Sequence, residues 1–128
     1  MHNKAIELMY FFNNVIPVTG AQIDAVENHF GIVLPTLLRS IILEHNGASV
    51  ECKSGRMSAL ISFSDKDIGN VYDRYVLPSG YLPFGDDGIE GCYSISADKN
   101  EGVVLWKNGS KKKIIAKDFV SFLRWLDE

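Results

Sequence analysis

A chain of 128 residues, 46% apolar and 23% charged, has the material for one buried core and is too apolar for a disordered segment. A net charge of −3 and a pI near 5.6 oppose a nucleic-acid or anionic-membrane partner, and no apolar run is long enough to span a bilayer. Glu7 precedes the apolar Leu8–Phe12 and no small-residue cleavage site follows, so a secretory signal is not expected and the expected location is the cytoplasm.

The first elements read as helices. Ala5 to Asn13 is rich in Leu, Met and Phe and predicts a short helix ended by Asn13-Asn14 and Pro17. Thr19-x-x-Gln22 is a capping box, after which Ile23, Val26 and Phe30 recur at helical spacing with Asp24, Glu27 and Asn28 on the wet face. Gly31 stands where a left-handed cap belongs. Leu34-Pro35 opens the next helix, with Leu37, Leu38, Ile41 and Ile42 as its apolar stripe and Asn46-Gly47 as its stop. His45, in its last turn, suits the negative end of the helix better than a metal, since no second ligand lies near in sequence, and His29 is read as equally ordinary.

From Ser49 the period changes to that of strands. Ser49–Lys53 and Ser58–Phe63 predict a pair across Ser54-Gly55. Ser64-x-x-Asp67 predicts a further capped helix carrying Ile68, Val71, Tyr72 and Tyr75, and Pro78, Gly80 and Pro83 mark a loop. The segment from Leu82 to Glu90 reads as a turn rich in glycine and acid before a strand, with Phe84 directed to the core. Gly91–Ser96, Val103–Lys107 and Lys111–Ala116 predict three strands, joined by the polar turn Ala97–Gly102 and by a type I′ turn at Asn108-Gly109. Lys111-Lys112-Lys113 would blunt an exposed edge. Asp118 caps a last helix whose buried stripe is Phe119, Phe122, Leu123 and Leu126, with Trp125 extending it. Helices, then a mainly antiparallel set of strands, then a closing helix predict an α+β fold in one domain over 1–128, its core about 20–126.

Charge is unevenly placed. Residues 65–101 hold eight acids against three bases, a local −5, whereas the first 64 residues come to −1 and the last 27 to +3. Asp65, Asp67, Asp86, Asp87, Glu90, Asp98 and Glu101 are therefore the candidate partner-binding residues. Asp86, Asp87 and Glu90 could instead bind a hard cation or act as an acid and base, but acids in a loop are more often simply solvated. Asp98-x-Asn100-x-Gly102 has only half of a calcium loop and reads as a hairpin turn. Gly85-x-x-Gly88-x-x-Gly91 is no phosphate loop, because a strand follows it and its acids repel phosphate. The histidines sit in the N-terminal third and neither cysteine has a catalytic motif around it, which leaves no nucleophile–base pair. Cys52 and Cys92 read as two buried thiols, with a disulfide between them as the alternative. No cofactor is expected.

Taken in order, several motifs resemble the SUKH superfamily (the Smi/Knr-like domain). They are Ile23…Glu27…Phe30-Gly31…Leu34-Pro35, then Leu38…Glu44-His45-Asn46-Gly47, then Leu82-Pro83-Phe84-Gly85-Asp86-Asp87-Gly88, Val103-Val104-Leu105-Trp106 and Ile115 to Leu123. The resemblance spans about residues 20–126. It implies an α+β fold around an antiparallel sheet, no catalytic centre, and, in small bacterial members, immunity proteins that bind and block a cognate polymorphic toxin, often a nuclease. Other members are regulatory or interaction modules, so a cytosolic module without a toxin partner is the alternative, and a metal-dependent enzyme on the Asp86/Asp87/Glu90 loop a more distant one. An acidic face would suit the basic cleft that a nuclease presents to phosphate.

Overall fold

The computed structural model describes residues 9–12, 15–107 and 111–128. Its centre is one seven-stranded sheet: β1 (Tyr10–Phe12), β2 (Ser49–Glu51), β3 (Ala59–Leu60), β4 (Tyr81–Asp86), β5 (Gly91–Ser96), β6 (Val103–Lys107) and β7 (Lys111–Ala116). The strands lie side by side in chain order, each antiparallel to the next. The helices are α1 (Gly20–Phe30), α2 (Thr36–His45), α3 (Asp65–Tyr75) and α4 (Phe119–Leu126). The α+β expectation therefore holds, and helices cover both faces of the sheet.

Local chemistry explains most helix ends. Thr19 Oγ1 accepts from Gln22 N at 3.1 Å while Gln22 Oε1 accepts from Thr19 N at 2.8 Å, and Gly31 ends α1 at φ 69°. Ser64 and Asp118 cap α3 and α4 by accepting from Asp67 N and Ser121 N. Pro35 stands just before α2, which has no side-chain cap at all.

Period-2 alternation then sorts the sheet residues. Tyr93, Ile95, Val103 and Leu105 face the main core with Leu82 and Phe84, beneath α1, α2 and α4. Cys92, Val104 and Trp106 point the other way and form a smaller cluster with Tyr75, Leu77 and, at its margin, Tyr72 and Tyr81. Helix α3 belongs to both, because Ile68 enters the main core while Tyr75 enters the second. Tyr72 also stacks on Phe30 of α1, with ring centroids 5.2 Å apart.

Four expectations are corrected. Tyr10–Phe12 is an edge strand paired with Ser49–Glu51 rather than part of a helix; Asn13-Asn14 and residues 5–8 of that expected helix lie outside the described residues, as does the Asn108-Gly109 turn. Strands β2 and β3 are shorter than the sequence suggests: β2 ends at Glu51, before a turn in which Gly55 N donates to Cys52 O, and past Ile61, whose N–H still donates to Phe84 O at 2.9 Å, the chain turns into α3. Tyr81–Asp86 is a full strand despite Pro83. The proline sits at a bulge against β5, and β3 pairs only with Gly85 and Asp86, so the ladder tolerates its missing N–H. Finally, Glu27 is not on a wet face. Its Oε2 accepts from Leu34 N at 2.6 Å and its Oε1 from Arg39 Nη1 at 3.0 Å, which ties α1 to α2.

Candidate interaction surface

The structure divides the seven candidate acids among three places. Asp65 and Asp67 lie in the first turn of α3, where the helix dipole favours them. Asp86, Asp87 and Glu90 lie at the β4–β5 connection, and Asp98 and Glu101 in the β5–β6 turn at the opposite end of β5. They are thus no single cluster. Among the described residues only Glu101 of the seven has a cationic partner, and no group of three His, Cys, Asp or Glu side chains is arranged to hold a metal.

The β4–β5 connection is built by one of its own carboxylates. Asp87 Oδ1 accepts from the backbone N–H groups of Ile89, Glu90 and Gly91 at 2.9, 3.1 and 2.8 Å, and Asp87 N donates to Gly91 O. Asp86 Oδ1 accepts from Gly88 N at 2.7 Å. Gly91 is closely packed: a Cβ there would stand 2.8 Å from Asp87 Oδ2, 2.9 Å from Leu105 Cδ1 and 3.0 Å from the Trp106 carbonyl oxygen, so a side chain would displace Asp87 from its place in the loop. The loop is therefore tied together by its own hydrogen bonds, and it holds Ile89, 88% exposed, beside the exposed Glu90.

Asp98 plays the part of a turn residue, its Oδ1 accepting from Asn100 N at 2.9 Å. Glu101 is different. Its Oε1 accepts from Tyr81 OH at 2.6 Å and from Ser96 Oγ at 2.8 Å, and its Oε2 is paired with Lys112 Nζ. The Lys112 bond, then the Tyr81 hydroxyl, hold its pKa down at about 2. Because the folded-state pKa lies below the ordinary 4.5, the contribution is complete above pH 4.5 and is lost as pH falls toward 2. Glu101→Gln is expected to flatten the fall in stability between pH 4.5 and 2 relative to the parent chain, read from urea midpoints across that range. An unchanged slope would show that the network does not couple folding to protonation.

The remaining reactive groups are quiet. Cys92 and Cys52 are buried free thiols, which decides against a disulfide between them. Burial, reinforced by Asp86 and Asp87, pushes Cys92 up to about 12, so it is a thiol and not a thiolate at neutral pH. Burial likewise raises Tyr93, whose hydroxyl donates to Arg56 O at 2.6 Å. His45 stacks on Phe11 at 4.2 Å and acts as a packing residue, whereas His29 is exposed and lies only against its neighbour Phe30.

Sequence reading missed the features that need distant segments. The guanidinium of Arg56 lies 4.4 Å over the Trp125 ring and donates to Trp125 O at 2.8 Å, clamping α4 from the β2–β3 loop. Pro35–Leu37, the β5–β6 turn and the start of α4 line an open groove. Among the described residues no helix is long and apolar enough to cross a membrane. A comparison with curated proteins gives no match. Residues 17–125 match the SMI1 / KNR4 family (SUKH-1), nearly the whole span of sheet and helices just described. Capped α1, the Leu-Pro entry to α2, the meander and the closing aromatic helix make up that matched span, and the chain belongs to the SMI1 / KNR4 family.

Proposed function

We propose that this protein is a non-enzymatic, cytoplasmic immunity protein that binds a cognate toxin and blocks it, with an acidic surface as the recognising face. Family membership supports the class, and one structural observation carries the face: six of the seven candidate carboxylates have no cationic partner among the described residues. Uncompensated carboxylates steer a basic partner during encounter and oppose its nucleic-acid substrate for the same cleft, which points to a nuclease toxin. The β4–β5 loop supplies what charge alone lacks. Ile89 offers an apolar anchor amid acids, and a loop tied by its own hydrogen bonds loses little entropy on binding.

The roles within the face are unequal. Asp87 holds the loop and Glu101 is already paired, so neither is free for a partner. Asp65, Glu90 and Asp98 are exposed at three separate places and are assigned the long-range steering, with Asp67 and Asp86 adding to the field and Glu90, beside Ile89, assigned the direct contact. The test is co-expression with the product of the adjacent gene, then association rates of the purified pair. Asp65→Lys with Glu90→Lys is expected to slow association about tenfold at low salt and to remove most of its salt dependence. Growth protection and association rates that do not change in the double variant would overturn the acidic-face reading. A chain that restores no growth against that product would overturn the immunity assignment for that pair and favour a regulatory module.

A further inference from the structure

The sheet ends in two edges of different chemistry. β1 at one edge is the short, uncharged Tyr10–Phe12, whereas β7 at the other edge opens with Lys111-Lys112-Lys113. Hydrogen-bond parity decides which backbone groups β7 leaves unpaired. Ser96 N donates to Gly102 O at 3.0 Å, so in the β5–β6 register Val104 and Trp106 turn their backbone toward β5, and Leu105 and Lys107 turn theirs toward β7. Leu105 and Lys107 stand opposite Lys113 and Lys111, so Lys112 and Ile114 turn their N–H and C=O groups out of the sheet. Among the described residues no backbone hydrogen bond reaches β7 from any segment but β6. The β6–β7 ladder carries Lys107, Lys111, Lys112 and Lys113 and no acid. Glu101, just before it, is bound to Lys112, and Asp118, just beyond it, caps α4 and interacts with Lys117. Lys107 and Lys113 are exposed and form no salt bridge among the described residues. Ile114, 52% exposed, lies on the opposite face of the strand from Lys113.

We propose that β7 accepts an extended acidic segment of a partner protein as an additional strand. The outward backbone groups of Lys112 and Ile114 supply the pairing, and the period-2 alternation of the added strand sets carboxylates beside Lys113 and an apolar side chain beside Ile114. Charge selects the occupant. A second copy adding through its own β7 would crowd two lysine runs along one ladder, and like charges across a ladder destabilise it. The lysines that blunt this edge against copies of the chain thus favour a strand of opposite charge. This partner segment is opposite in sign to the basic surface assigned to the acidic face, so it requires a site of its own.

The probes are two capped heptapeptides, one alternating glutamate with valine and one alternating lysine with valine, titrated at low salt into the ¹⁵N-labelled full chain. In the free chain the Lys112 and Ile114 amides are expected to exchange with solvent quickly and the Lys113 amide slowly. The glutamate peptide is expected to bind saturably and to slow exchange at Lys112 and Ile114 by about tenfold or more, and the lysine peptide to do neither. Ile114→Pro removes one outward N–H at an edge position where proline is tolerated, and should weaken the glutamate peptide by about tenfold while the Lys113 amide stays protected. Lys107→Gln with Lys113→Gln keeps every backbone group and should weaken it about fivefold, as for two exposed ion pairs. No saturable binding of the glutamate peptide, equal binding of both peptides, binding without slowed exchange at Lys112 and Ile114, or full affinity in the double variant would overturn the proposal. So would slowing at these two amides that grows with protein concentration in the absence of peptide, since a second copy would then be the occupant. None of these readouts depends on the toxin assignment, which has its own growth test.

Discussion

Phe122→Ala is expected to lower the unfolding free energy by about 3–5 kcal/mol, near the top of the range for a single core truncation. Phe122 is fully buried, and its ring lies 5.5 Å from Phe84 and 4.9 Å from Tyr93, both edge-on, with Phe119 and Trp125 at 5.9 Å. It is the residue through which α4 reaches two central strands at once. Truncation loses the transfer free energy of the ring and leaves a cavity whose walls are sheet residues that cannot move inward together. The edge-to-face pairs add to this loss beyond their area. Phe122→Leu should recover more than half of the deficit, because it refills most of the volume. Urea unfolding followed by far-UV circular dichroism measures both. A loss under about 1 kcal/mol for the alanine variant would mean that α4 repacks and that the aromatic cluster is not what joins it to the sheet.

That cluster was legible from the sequence because its determinants are local. Phe119, Phe122, Leu123 and Leu126 fall on one helical stripe, and Asp118 marks where it begins. The capping box at Thr19 and the left-handed Gly31 were readable for the same reason. The end of α3 was not, since Val76 itself takes φ 53°, a conformation for which a β-branched side chain gives no signal. Strand β1 escaped because Tyr10-Phe11-Phe12 is apolar without clear period, and its partner Ser49–Glu51 is remote in the chain. Strand β4 was hidden by Pro83 and Gly85, whose turn chemistry is overridden by the burial of Leu82 and Phe84. The acids of the candidate face were visible as a charge count. That Asp87 builds its loop and Glu101 belongs to a Tyr81–Lys112 network depends on backbone and side-chain positions that no spacing encodes. The groove was invisible altogether, because its walls come from three segments that meet only after the sheet forms.

Asn46→Ala is expected to cost about 2–5 kcal/mol, through two broken hydrogen bonds rather than a cavity. In the sequence Asn46-Gly47 reads as a helix stop, and the backbone does turn there, with Gly47 at φ 74°. The side chain does more. Asn46 is 2% exposed; its Oδ1 accepts from Phe63 N at 2.8 Å and its Nδ2 donates to Ile16 O at 3.0 Å. One amide thereby joins the segment before α1 to the segment before α3, bridging Ile16 and Phe63 across a sequence separation of 47. Alanine would strand a donor and an acceptor. Asn46→Asp separates the two bonds. It keeps the acceptor for Phe63 N but, when ionised, sets a carboxylate oxygen against Ile16 O, while the protonated form can still donate there. Burial and that carbonyl raise its folded pKa above the ordinary carboxylate value of about 3.9, so its stabilising protonated form is lost as pH rises. The penalty of Asn46→Asp relative to the parent chain should therefore be small near pH 4 and grow toward pH 7. Taking the difference between the two proteins cancels the opposite slope contributed by Glu101, whose stabilisation is gained over pH 2 to 4.5. A penalty independent of pH would show that water reaches the site and that Asn46 is only a helix stop.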